Sequence, residues 1–279
     1  MRIIYWLVAV TLLSIGGCQQ SPDPSTDPVS QSTVRPDEAC PAAIMSRVQH
    51  YISAQDGQGH GPDPGSAEWF GSIEHKLSRQ SASPFPPAGT LSWCDRVLSA
   101  LNVQPAFACR DNMSAAEAAV CDSASLAALD VWLEDTYMNA LQHAEKGQVN
   151  TLKAMQRGWL KGRDACWKEP DSKQCVRNRY VERISELQAH YVLIAPVNSA
   201  RLICPDGNRH TLQFFATPMS AMTIHRNDDK LLLWQVRAAS GTRYEGANTL
   251  YWEHQGEVQF ISGVGAEAQT CKVKSPGDE

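Results

Sequence analysis

The sequence predicts an α+β protein: a small disulfide-bonded helical bundle followed by a small antiparallel β-barrel. Three observations carry this expectation. Residues 107–192 hold three apolar stripes at helical spacing, and residues 198–279 switch to about seven short β segments divided by turn signals. The 279-residue chain also holds nine cysteines, eight of them after residue 18. Helical stripes of this length bury only against one another, and so many short strands bury best by closing on themselves.

Residues 1–17 read as a lipoprotein signal peptide. Arg2 supplies a positive start, residues 3–15 form an apolar run too short to span a membrane comfortably, and Ile15-Gly-Gly-Cys18 sets small residues before a cysteine. That ending resembles a bacterial lipobox, which implies cleavage before Cys18 and acylation of its thiol. Several acyl chains on one residue give near-permanent membrane attachment. Gln19, rather than Asp, follows the cysteine, which by the sorting rule for such lipoproteins implies an outer-membrane lipid anchor facing the periplasm. Residues 18–37 are rich in Ser, Pro, Asp and Gln and have almost nothing to bury, so a disordered tether is expected.

Setting Cys18 aside leaves Cys40, Cys94, Cys109, Cys121, Cys166, Cys175, Cys204 and Cys271, an even set for a compartment in which disulfides persist. No pair has C-x-x-C spacing, which argues against redox catalysis and a zinc knuckle. The net charge is −5 and no segment is strongly basic, so nucleic acid is not an expected partner. A mildly acidic surface favours a basic protein partner, weakly at physiological salt.

Residues 38–103 form a small helical and loop region whose role the sequence leaves open. Residues 44–52 and 69–77 have helical spacing, and the Gly/Pro-rich stretch 56–65 separates them. Cys40 and Cys94 bracket the region as a staple. His50, His60, His75, Asp56 and Asp63 lack the spacing of a metal-ligand set, so the expectation is a solvated loop with no metal and no cofactor. A metal-dependent hydrolase built on His60 and Asp63 is the distant alternative.

In 107–192, Leu126, Leu129, Leu133, Tyr137 and Leu141 step by three or four; Leu152, Met155 and Trp159 do the same; Val181, Ile184, Leu187 and Tyr191 mark a third helix. Asn150 is the expected N-cap of the second, and Asp171 or Ser172 of the third. Proximity favours Cys109–Cys121 and Cys166–Cys175, although four cysteines allow three connectivities. The run Phe107-Ala-Cys109, Ser114-Ala-Ala-Glu117, Cys121, Leu126-Ala-Ala-Leu-Asp130, Tyr137 and Gln156-Arg-Gly-Trp-Leu-Lys-Gly-Arg-Asp-Ala-Cys166 resembles the LprI-type lysozyme inhibitors. Read as residues alone, Ser114 and Glu117 form a capping box, Arg163 and Asp164 a local polar network, and Trp159 belongs to the core.

In 198–279, β segments run over 200–204, 210–216, 222–226, 231–237, 249–254, 258–262 and 270–274, separated by Asp-Gly, Thr-Pro, Asn-Asp-Asp, Ser-Gly and Gln-Gly signals. The stretch 231–234 reads as buried on both faces. A barrel this small has a filled interior, which disfavours capture of a lipophilic ligand. Ser240 and His254 lie 14 residues apart, a spacing that can bring a hydroxyl and a ring nitrogen to one rim, and a Cys204–Cys271 bridge would hold the segment closed.

Cys204-Pro-Asp-Gly207, Ser240-Gly-Thr-Arg-Tyr244, Tyr251-Trp252 and the terminal Cys271 closely resemble MliC, the membrane-bound inhibitor of C-type lysozyme. The resemblance implies an eight-stranded antiparallel barrel with C-type lysozyme as the protein partner. It also implies that Ser240 and the residue at 254 enter the lysozyme cleft and meet its two catalytic carboxylates. The family usually carries Lys at that second position and Lys-Gly-Asp-Glu along the turn; this sequence has His254-Gln-Gly-Glu257. The expected lysozyme-binding set is Ser240, Gly241, Arg243, Tyr244, Tyr251 and His254, with Tyr244 and Tyr251 equally suited to barrel packing and Trp252 better suited to it.

A lysozyme site pairs one protonated carboxylic acid with one ionised carboxylate. A serine hydroxyl suits the acid, and a cation suits the carboxylate. An imidazole supplies that cation only when protonated, and its unperturbed pKa is about 6.5. No nucleophile–base pair, P-loop or dinucleotide fingerprint is present, so the chain is not expected to be an enzyme. The alternative is an envelope binding or scaffold lipoprotein without lysozyme inhibition.

Overall fold

The computed structural model describes residues 39–78, 84–226 and 229–275. The expected signal peptide (1–17), tether (18–37) and lipid acceptor Cys18 lie outside the described residues. Among the described residues, seven α-helices precede an eight-stranded, closed antiparallel barrel.

The helical body begins with α1 (Ala42–Tyr51), α2 (Ala67–Ser78) and α3 (Leu91–Ala100). The helical spacing at 44–52 and 69–77 accounts for the first two, and α3 is additional to it. Its start is set by Thr90, whose Oγ1 accepts the Trp93 amide at 3.1 Å, and it buries Trp93, Val97 and Leu98. Trp93 meets Trp69 and Phe70 of α2 at ring distances of 5.6 and 4.9 Å. Cys40–Cys94 ties α3 to the entrance of α1. The loop before α2 is organised by Asp56, whose Oδ1 accepts the amides of Gln58 and His60. Those backbone bonds hold its carboxyl below the usual range.

Four more helices follow: α4 (Ala115–Cys121), α5 (Ala124–His143), α6 (Val149–Asp164), which runs on into a 3₁₀ turn at Ala165–Lys168, and α7 (Ser172–His190). Ser114 and Glu117 form a reciprocal capping box on α4, and Asp171 accepts the Gln174 amide to cap α7. The expected Asn150 cap does not form, because α6 already starts at Val149. Cys109 is bonded to Cys121, and Cys166 to Cys175.

One hydrophobic cluster runs from Ile44, Trp69 and Trp93 through Leu126 and Leu129 to Tyr180 and Leu187. The boundary expected between 38–103 and 107–192 therefore does not divide the core. Asp95 of α3 reinforces the join: its Oδ1 accepts from Ser123 Oγ and from the Ser125 amide, both at 2.9 Å, placing a carboxylate at the α5 N-terminus.

The barrel strands are β1 (Asn198–Ile203), β2 (Arg209–Phe215), β3 (Ala221–Arg226), β4 (Asp229–Val236), β5 (Thr242–Gly246), β6 (Thr249–His254), β7 (Glu257–Ser262) and β8 (Gln269–Lys274), paired in chain order and closed by β1 against β8. The additional strand is β5. Its Thr-Arg-Tyr-Glu-Gly sequence conceals the alternation, with Tyr244 buried and Arg243 and Glu245 on the outer wall. Leu202, Leu212, Met222, Ile224, Leu233, Val258 and Phe260 fill the interior.

The outer face of β3 and β4 is covered by α7, where Ala189 packs with Phe215 and Ala221 beside Leu232 and Trp234. This is why the β4 segment reads as apolar on both faces. Polar contacts fix the seam: Ser185 Oγ accepts the Met219 amide at 2.9 Å, and Lys230 Nζ donates to the His190 carbonyl, placing a cation at the helix C-terminus. Burial pushes the His190 imidazole below its ordinary value, helped by Lys230, Arg183 and His225 and opposed by Glu186. His210 and His225 shift the same way, each mainly by burial.

The folded chain binds these protons less readily than the unfolded chain. Their contribution to stability is complete above the ordinary imidazole pKa of about 6.5 and is lost as pH falls below it. Thermal melts of the full chain are expected to show a lower midpoint at about pH 5.5 than at about pH 7.5, and His190→Gln to shrink that difference.

Candidate functional site

Ser240 and Gly241 occupy the turn between β4 and β5, and His254 ends β6 at the same rim. Gly241 has φ +70°, and its backbone lies flush against β6. A Cβ built there would fall 2.0 Å from the Glu253 carbonyl oxygen and 3.3 Å from His254 Cα. Only glycine permits both this φ and this approach. Trp252 fastens the turn from below, its Nε1–H donating to the Ser240 carbonyl at 2.9 Å. The β6–β7 connection is the two-residue turn Gln255-Gly256, with φ values of 53° and 83°, the signs a tight primed hairpin requires. The structure thus brings the Ser240 and His254 loops into contact, and both residues are exposed.

The remaining sequence-predicted contacts lie elsewhere. Tyr244 and Tyr251 are 6% and 3% exposed and face each other inside the barrel, with Phe214 as third ring. As partner-contacting residues they are corrected to core: inward alternation along β5 and β6 turns both away from solvent. Burial raises both phenols, Tyr251 also through the Glu253 carboxylate and Tyr244. Arg243 leaves the rim for the outer wall, where it pairs with Glu245 and its guanidinium lies 6.0 Å from the Trp252 ring centre. Trp252 is half-buried and serves the loop as a brace.

The barrel is not filled throughout. At the rim of Ser240 and His254 a cavity of about 450 Å³ opens beside Thr242, Glu253 and Gly256, floored by Ala200, Phe214 and Tyr251. Glu253 Oε1 accepts the Gly256 amide at 3.4 Å, which sets an acidic group beside the two loops.

The helical body carries a second polar construction. Arg163, 3% exposed, donates to Asp164 Oδ1 at 2.8 Å and to Tyr180 Oη at 3.0 Å. Tyr180 Oη donates in turn to Asp130 at 2.8 Å, and Asp130 also accepts the Ala106 amide. Burial and the Asp130 charge push the Tyr180 phenol up, so it stays a donor. Arg163 and Asp164 are adjacent and so legible in sequence, whereas Tyr180 and Asp130 lie 17 and 50 residues from their partners. Trp159, expected in the core, is half-buried at the edge of this network, its Nε1–H bonded to the Arg179 carbonyl. Among the described residues no group of three or more His, Cys, Asp or Glu side chains is arranged to hold a metal ion.

Comparison with known proteins gives matches of two kinds, relatives aligned over most of the chain and family models confined to one part each. The lipoproteins LprI of Mycobacterium bovis and of Mycobacterium tuberculosis are each 29% identical to this chain over 196 residues, covering 69% of it and 93% of their own length. A crystal structure of Pseudomonas aeruginosa MliC in complex with hen egg white lysozyme is similar at 20% identity, covering 28% of this chain and 81% of that one, with a TM-score of 0.24. The model of the family described as lysozyme inhibitor LprI matches residues 109–187, and that of the membrane-bound lysozyme inhibitor of C-type lysozyme, MliC, matches residues 203–269. Residues 109–187 are thus similar to the LprI family and residues 203–269 to the MliC family, in the order the sequence motifs suggest.

Proposed function

We propose that this protein is a non-catalytic envelope lipoprotein, anchored through Cys18 in the outer membrane and facing the periplasm. It blocks C-type lysozyme by inserting the Ser240 and His254 loops into the active-site cleft. The observation that carries this reading is the seat of Gly241 against Glu253 and His254, which joins the backbones of the two loops at one rim where both residues 240 and 254 are exposed. The match of residues 203–269 to an inhibitor family of C-type lysozyme supports the choice of partner. Ser240 donates to, or accepts from, the protonated catalytic acid; His254, once protonated, pairs with the ionised carboxylate. The loops are held before binding, so little order has to be imposed on association.

The test is lysozyme turnover in the presence of the full chain. Ser240→Ala is expected to weaken inhibition about 5- to 100-fold, the loss of a hydrogen bond to a carboxyl group. His254→Lys, a permanent cation, should inhibit at least as strongly as the wild type. Absence of wild-type inhibition, with His254→Lys equally inactive, would overturn the reading and leave an envelope scaffold.

A further inference from the structure

The helical body holds a cleft that its own packing leaves open. α5 and α6 are consecutive, yet each rests chiefly on α7, and a cavity of about 380 Å³ remains between them. α6 buries only Leu152 and Arg163 along its whole length. Met155 and Leu160 on that helix are 47% and 38% exposed, and Met138 on α5 is 49% exposed. Leu160 lines that cavity, so the cleft keeps an exposed apolar edge with room for a partner.

The lining specifies the chemistry of that partner. Phe107, Tyr137 and Trp159 supply aromatic walls, and Glu117, Asp130 and Glu134 supply carboxylates. The only cation lining the cleft is Arg163, and its guanidinium is already engaged by Asp164 and Tyr180. Glu117 is held ionised, its carboxyl lowered first by the Ser114 amide and then by Arg163. Glu134 is exposed at the cleft edge and has no ion-pair or hydrogen-bond partner among the described residues. Acceptors thus outnumber available donors, and the aromatic faces favour a cation as well.

We propose that the α5–α6 cleft is a second interaction surface, which takes an arginine or lysine side chain of a basic protein segment, with a neighbouring apolar residue of that segment resting on Leu160. The site is separate from the barrel rim and does not rest on the lysozyme reading. If that reading also holds, the cleft gives the same basic partner a second hold.

The experiment uses the isotopically labelled full chain and the blocked peptide acetyl-Leu-Arg-Leu-Arg-amide. Amide signals of α5 and α6 and the Trp159 indole N–H should shift saturably. Glu134→Gln should weaken binding about fivefold and Glu134→Lys more strongly, and added salt should weaken it further. Glu134 is exposed, so neither substitution threatens the fold. Ser240→Ala should leave this titration unchanged, which separates failure of the cleft from failure of the inhibitory rim. No saturable shift with the arginine peptide would overturn the proposal. So would an equal shift with acetyl-Leu-Glu-Leu-Glu-amide, or a shift with N-acetylglucosamine oligomers where the peptide gives none, which would reassign the cleft to a glycan.

Discussion

Gly241→Ala is expected to unfold the rim of Ser240 and His254 while leaving the rest of the chain folded at low temperature. The added methyl would lie 2.0 Å from the Glu253 carbonyl oxygen, a distance no side-chain rotation relieves, because the backbone fixes the position of Cβ and the oxygen is itself a backbone atom. Alanine also resists the φ of +70° at this position. Strain and displacement together should cost about 3 kcal/mol or more. Denaturant unfolding followed by tryptophan fluorescence measures that loss, and the lysozyme assay should show a larger drop than Ser240→Ala gives. Gly256→Ala provides the contrast. Its φ is also positive, at 83°, but a Cβ there meets nothing within 4 Å, so only about 1 kcal/mol should be lost. Equal effects of the two substitutions would show that the close approach at Gly241 does not organise the rim.

Removing the Cys204–Cys271 bridge should have an effect of similar size by a different route. The barrel closes along β1 and β8 through three registered pairs, Arg201↔Lys274, Leu202↔Val273 and Ile203↔Lys272. The neighbouring seam of β1 with β2 has six. Cys204 and Cys271 are the next pair in the β1–β8 register, with a Cα separation of 4.3 Å, so the bridge continues the ladder covalently where hydrogen bonding stops. It links residues 67 apart, for which loop entropy in the unfolded chain is worth about 4 kcal/mol. The double variant Cys204→Ala/Cys271→Ala should melt on the order of 20 °C lower, if the barrel melts as a unit of its own. Replacing Cys109 and Cys121, only 12 apart, should cost less, about 3 kcal/mol. A smaller loss at Cys204–Cys271 than at Cys109–Cys121 would contradict this account of closure.

What the sequence made legible follows from how local each signal is. The α5 stripe of Leu126, Leu129 and Leu133 is read within a few turns, and those three side chains are indeed buried. The Ser114–Glu117 capping box is equally local. Helix α3 carried a usable signal in Thr90 followed by Trp93 and Val97, but its short length and the preceding Pro-rich stretch hid it. β5 was hidden because its outer positions are charged and only Tyr244 is strongly buried. The cover of β3 by α7 could not be read locally at all, since an apolar residue facing a helix looks the same in sequence as one facing a barrel interior. At the rim, Ser240 and His254 were legible as residues and Gly241 as a turn. Its contact with Glu253 was not, because that contact joins backbone to backbone across two strands.

The same contact bears on which parts of the rim can be exchanged. The position of the rim is dictated by a glycine without a side chain and by a neighbouring carbonyl, and neither depends on what stands at 240 or 254. Both of those positions are exposed. The exposed side chains at 240 and 254 can therefore be exchanged, histidine for lysine among them, without remaking the backbone. The chemistry of the two tips is thus separable from the backbone that carries them, and single substitutions can alter the first without disturbing the second.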